Sequence, residues 1–134
     1  MGWSGTLARM PSPPRLRSAP SLDLVCLASF VLIGGRQHQI GEGVTWFLRV
    51  MWPLCVGIFG VALLVHLYTR ATHIWRALAL TVVGGVVVMQ VLRGAFLGHP
   101  WVSAFPVVAA IYLALTMFGW RLVAALVVRS SARR

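Results

Sequence analysis

The chain has 134 residues, of which 59% are hydrophobic and only 10% charged, and its mean hydropathy is +0.85. Soluble domains carry about 25% charged residues, and a chain this short leaves much of its surface in contact with its solvent. A water-soluble globule is therefore excluded, and hydrocarbon is the expected solvent. The charge is one-sided: twelve basic residues, all arginine, stand against two acids, Asp23 and Glu42.

In a soluble protein that excess would suggest a nucleic-acid partner. Here the arginines sit mainly at the ends of apolar runs, where they anchor helices and set orientation. No basic stripe or reader module is present, so no nucleic-acid partner is expected.

Residues 1–19 hold Pro11, Pro13 and Pro14 among Arg9, Arg15 and Arg17, and read as a disordered, basic cytoplasmic tail. The tail and the apolar stretch Leu24 to Ile33 also match the first parts of a signal peptide. No A-x-A-like site follows, and the run ends in Gly34, Gly35 and Arg36, which favours an uncleaved helix. This first segment, about 20–35, is short for a span of about 20 residues and carries Asp23, so neighbouring helices are expected to hold it.

A polar loop, Arg36 to Thr45, contains His38 and Glu42. The second segment, about 46–68, opens with Trp46, Phe47 and Trp52, as at a membrane interface. Pro53 falls in its first turns, and Gly57 and Gly60 offer a close approach to another backbone. The third segment, about 77–97, is rich in valine, and its uncharged length favours a membrane helix over a strand. Thr81 and Gly85 form a small-residue face, and Gln90 and Arg93 interrupt the far end. The link Gly98-His99-Pro100 leads to the fourth segment, about 101–128, with Pro106 near its start, a small face at Ala110 and Ala114, and Arg121 inside the apolar run. Residues 129–134 form a second basic tail. Cys26 and Cys55 lie in apolar runs and read as small packing residues.

Four spans place both termini on one side. That side holds Arg9, Arg15, Arg17, Arg70, Arg76, Arg129, Arg133 and Arg134, against Arg36 and Arg49 opposite, with Arg93 near that boundary. The positive-inside rule assigns both termini to the cytoplasm of a cell membrane.

Charges inside spans cost about 2.5–3.5 kcal/mol each and seek partners or water. Arg121 lies eight residues before Arg129, about 12 Å along the helix. It therefore shares the cytoplasmic third with Asp23, where an ion pair is allowed. Arg36, His38, Glu42, Arg49 and Arg93 gather toward the other edge, with one acid against three arginines. Two readings stand for this cluster: an anion or headgroup site at the mouth of a polar path, or arginines that snorkel from helix ends with Glu42 as partial counter-ion.

No catalytic residue, cofactor or metal is expected. The chain has no nucleophile elbow, zincin motif, phosphate loop, CxxC pair or carboxylate pair, and its histidines are not spaced as ligands.

Asp23, the run Gly35-Arg36-x-His38 and then Gly41-Glu42-Gly43 resemble the opening signature of domain-of-unknown-function family 3054. Trp52-Pro53 with Gly57, Arg93, and Gly119-Trp120-Arg121 are similar to its later blocks, and the resemblance spans about 20–125. It implies a small four-helix membrane protein of a kind common in actinobacteria and found in haloarchaea, with no established activity.

The expectation is an all-α integral membrane four-helix bundle with antiparallel neighbours and short loops. It is expected not to be an enzyme, but to bind or move a small solute or ion in the lipid bilayer as a homo-oligomer. The alternative is an accessory subunit that packs against a membrane protein partner.

Overall fold

The computed structural model describes residues 16–36, 43–70 and 72–133. They form four helices and no strand: α1 (Ala19–Arg36), α2 (Gly43–Leu64), α3 (Ile74–Leu97) and α4 (Phe105–Ser131). All four are long and apolar enough to cross a membrane. The all-α bundle expected from composition is the fold observed. Of the disordered tail expected over residues 1–19, residues 1–15 lie outside the described residues, and Ala19 already belongs to α1.

Each helix packs on its neighbours in sequence, and α1 closes the ring against α4. Neighbours run antiparallel. The start of α1 and the end of α4 share one end of the bundle with the α2–α3 connection, as the contacts of Asp23 with Tyr68 and Arg121 require.

The centre is filled by Leu27 of α1, Leu54 and Ile58 of α2, Leu78 and Met89 of α3, and Leu113 and Met117 of α4, none of them accessible. Outward faces are as apolar as the inside: Val25, Ile33, Leu63, Val83, Val87, Ile111 and Leu115 are all exposed. Lipid tails solvate such faces without penalty, so burial of apolar area does not hold these helices together. Close packing and interhelical hydrogen bonds must do so.

The closest packing is between α2 and α3. A Cβ placed on Gly57 would run into the backbone carbonyl of Gly85 and come within 3.0 Å of the Met89 nitrogen. A Cβ on Gly85 would meet Ile58 Cα at 2.9 Å and the Gly57 carbonyl at 3.1 Å. Thr81, one turn from Gly85, is also fully buried and donates its hydroxyl to the Ala77 carbonyl at 2.8 Å. Gly57 and Gly85 thus meet within the chain, and Thr81 is buried one turn away. Gly60 does not take part, because nothing lies within 4 Å of its Cβ position.

The α1–α4 seam is polar and aromatic. Ser29 and Tyr112 share a 2.9 Å hydrogen bond, and the Phe30 ring lies 5.3 Å from that of Tyr112 and 5.6 Å from that of Phe105. This seam holds the short first helix.

The helix ends differ from the pattern-based bounds for local reasons. α2 begins at Gly43, which places Pro53 in the helix interior rather than in its first turns. It stops at Leu64 because the chain turns through His66, whose φ is 53°, and this carries Tyr68 back toward α1. α3 begins at Ile74 and continues through Gln90 and Arg93 to Leu97. There Gly98 adopts the left-handed conformation and donates its N–H to the Arg93 carbonyl. α4 starts at Phe105 with Pro106 in its first turn, where a missing N–H costs nothing. Trp101 instead folds back onto α3, its ring 2.9 Å from the Cβ position of Gly94.

Candidate functional site

Two polar clusters occupy opposite ends of the bundle. From Arg121 to Phe105 is about 24 Å of helix, so the clusters sit near opposite edges of a hydrocarbon core about 30 Å thick.

At the end where α1 starts and α4 finishes, Asp23 and Arg121 are buried, the carboxylate fully and the arginine to all but 2% of its surface. Their pairing is bidentate. Arg121 Nη1 donates to Asp23 Oδ1 at 2.7 Å, and Nη2 donates to Oδ2 at 2.6 Å. Two more donors complete the carboxylate: Tyr68 hydroxyl to Oδ2 at 2.7 Å and Trp120 Nε1 to Oδ1 at 3.0 Å. Arg121 also donates to the Met117 carbonyl at 3.2 Å and lies over the Trp120 ring at 4.3 Å. Burial, then the Asp23 charge and hydrogen bond, push the Tyr68 phenol far above its ordinary value, which keeps it a donor. With four donors on two oxygens, the arrangement has the geometry that a buried ion pair needs to offset its desolvation. It ties α1, the α2–α3 connection and α4 together.

At the other end the helices part around a cavity of about 470 Å³. Its walls are apolar (Phe30, Val31, Trp46, Val50, Phe105 and Val108), and three basic residues, Arg49, Arg93 and His99, reach it from α2, α3 and the α3–α4 connection. The Arg93 guanidinium lies 3.8 Å from the centre of the Phe105 ring. Its Nε and Nη1 are buried with no hydrogen-bond partner among the described residues. One turn away, Gln90 Nε2 donates to the carbonyls of Pro100 at 2.9 Å and Trp101 at 3.1 Å, which pins the connection that carries His99. Burial, then Arg93 and Arg49, hold the His99 imidazole below its ordinary value, toward the neutral form.

Of the residues singled out from sequence, the structure joins Asp23 with Arg121 and brings Arg49 and Arg93 to one cavity. Arg36 ends α1, exposed and outside the cavity lining. His38 and Glu42 lie outside the described residues. Sequence reasoning missed Tyr68 and Trp120 as partners of Asp23, and His99 and Phe105 beside Arg93. Trp120 adjoins Arg121 and Tyr68 shares the depth of Asp23, so both were within reach of the same depth argument. Nothing in the sequence marked Phe105.

Between the clusters, Leu27, Leu113 and Met117 fill the axis, all at zero exposure. Among the described residues, no three His, Cys, Asp or Glu side chains converge as a metal site would require.

No curated protein and no solved structure matches the chain. The family described as protein of unknown function (DUF3054) matches residues 21–124, which include the ion pair and nearly all of the bundle, and the chain belongs to that family.

Proposed function

We propose that this protein is a non-enzymatic, multi-pass cell-membrane protein that binds a small anion in the cavity lined by Arg49, Arg93 and His99. The observation that carries this reading is the Arg93 guanidinium. Arg93 lines the cavity, two of its donors are buried without a hydrogen-bond partner among the described residues, and the other polar side chains that line the cavity among those residues are basic. An arginine within a span costs about 2.5–3.5 kcal/mol, and an unsatisfied buried donor adds about 1–3 kcal/mol. An anion would offset both. The arginine count by side supports cytoplasmic termini and an outward-facing cavity.

The packed Leu27, Leu113 and Met117 argue for binding rather than open passage through a single copy. Movement of a solute would require an oligomer or a rearrangement of the bundle. Of the small residues that spoke for the accessory-subunit alternative, Gly57, Thr81 and Gly85 are used inside the chain, whereas Gly60 is left exposed.

The test is thermal unfolding in phosphatidylcholine nanodiscs against a panel of sodium salts at constant ionic strength. A ligand at a hundred times its Kd adds about 2.7 kcal/mol of stability. Saturable stabilisation by at least one anion, lost in Arg93→Gln with helicity retained, supports the proposal. No stabilisation by any anion, or an identical response from Arg93→Gln, overturns it. Flux in proteoliposomes then separates movement from binding.

A further inference from the structure

We infer that the occupant of this cavity is an amphiphilic organic acid: a carboxylate or phosphate head on Arg93, Arg49 and His99, with an apolar body along Phe30, Val31, Phe105 and Val108. The inference rests on the anion-binding reading and goes further by naming the ligand class.

Size is the first argument. At about 470 Å³ the cavity is far larger than a halide or a tetrahedral oxyanion needs. It falls within the range of about 300–1,000 Å³ typical of pockets that take organic ligands.

The division of the walls is the second. The basic groups come from the start of α2, the end of α3 and the α3–α4 connection; of the apolar walls, Trp46 and Val50 flank Arg49 on α2, and Phe30, Val31, Phe105 and Val108 come from α1 and α4. An inorganic anion would meet the basic groups and leave the apolar walls against water. An acid with an apolar body satisfies both. The Arg93 position adds a constraint. With one face on the Phe105 ring at 3.8 Å, the guanidinium can meet a planar or tetrahedral head only through its N–H edges, and Nε and Nη1, which lie on different edges, have no hydrogen-bond partner among the described residues.

The cavity also lies toward a membrane edge, where the charged head of an amphiphile resides. The same chemistry could come from a dissolved acid or from a lipid of the bilayer.

The experiment is equilibrium binding of radiolabelled octanoate to the full chain in phosphatidylcholine nanodiscs, with protein-free nanodiscs subtracted for bilayer partition. Acetate and inorganic phosphate serve as competitors. Each buried methylene strengthens binding about four-fold, so three buried methylenes place octanoate about 60-fold above acetate. Val108→Phe, at a half-exposed wall position, is expected to weaken octanoate at least about five-fold by filling the apolar part, while acetate is unaffected. Nanodiscs that contain phosphatidylglycerol distinguish the sources. If they suppress octanoate binding, the ligand comes from the bilayer; if they do not, it is a dissolved acid; both results support the shared chemistry. Acetate and phosphate competing within about three-fold of octanoate would mean that the site reads charge alone. That result overturns this inference and leaves anion binding intact. Absence of saturable binding by all of these probes removes both.

Discussion

Asp23→Asn is the most informative single change for stability. It preserves the shape of the side chain and removes its charge, so Arg121, 2% exposed, is left without a counter-ion at the same depth. Removing one partner of a buried pair costs about 3–5 kcal/mol, most of it the penalty on the charge left behind. The amide also has a single acceptor oxygen where the carboxylate serves donors from Tyr68, Trp120 and both terminal nitrogens of Arg121. The loss should therefore fall in the upper part of that range. Arg121→Met should cost a similar amount, because it strands the carboxylate. The double variant Asp23→Leu with Arg121→Met removes both charges. It should be no worse than the poorer single variant, with a coupling free energy of at least about 2 kcal/mol. The measurement is reversible unfolding in mixed micelles titrated with dodecyl sulfate, followed by circular dichroism. Two results would refute the reasoning: an Asp23→Asn loss below about 1 kcal/mol, or a double variant whose loss equals the sum of the singles.

Gly57→Ala should destabilise by about 1–3 kcal/mol or more, because its Cβ meets backbone that no rotamer change can move; Gly60→Ala, in open space, should be neutral or gain up to about 1 kcal/mol of helix propensity in the same unfolding assay. The raised Tyr68 value means that the folded protein holds this proton more tightly than the unfolded chain. Its stability contribution is complete below about pH 10 and falls as the pH rises above that, and Tyr68→Phe should show a flatter alkaline limb in pH-dependent melting. For His99 the sign is opposite. A value held below the ordinary one favours the neutral form, so stability present above about pH 6.5 declines as the pH falls. A bound anion screens Arg93 and Arg49 and favours the protonated imidazole. Anion affinity should accordingly rise from pH 7.5 to about 5.5, and His99→Gln should remove that rise in a binding titration.

Composition alone determined the solvent of this protein, and apolar runs divided by short polar links determined four antiparallel helices. Hydrocarbon tolerates charge so poorly that the few charged residues stood out, and depth along two helices was enough to allow Asp23 to meet Arg121. Depth is a one-dimensional coordinate. It could not say that Tyr68, carried back by the turn at His66, and Trp120 would complete the same carboxylate. It could not separate Gly57, pressed against Gly85, from Gly60, which faces open space, because rotation about the helix axis decides that. At the other end it grouped Arg36 with Arg49 and Arg93, whereas the ring of helices gathers only the latter two around a cavity. His99 and the aromatic face of Phe105 enter that cavity because Gly98 reverses the chain and Gln90 pins the connection. These are relations between side chains far apart in sequence. They arise only when four helices choose which faces to turn inward, and packing makes that choice.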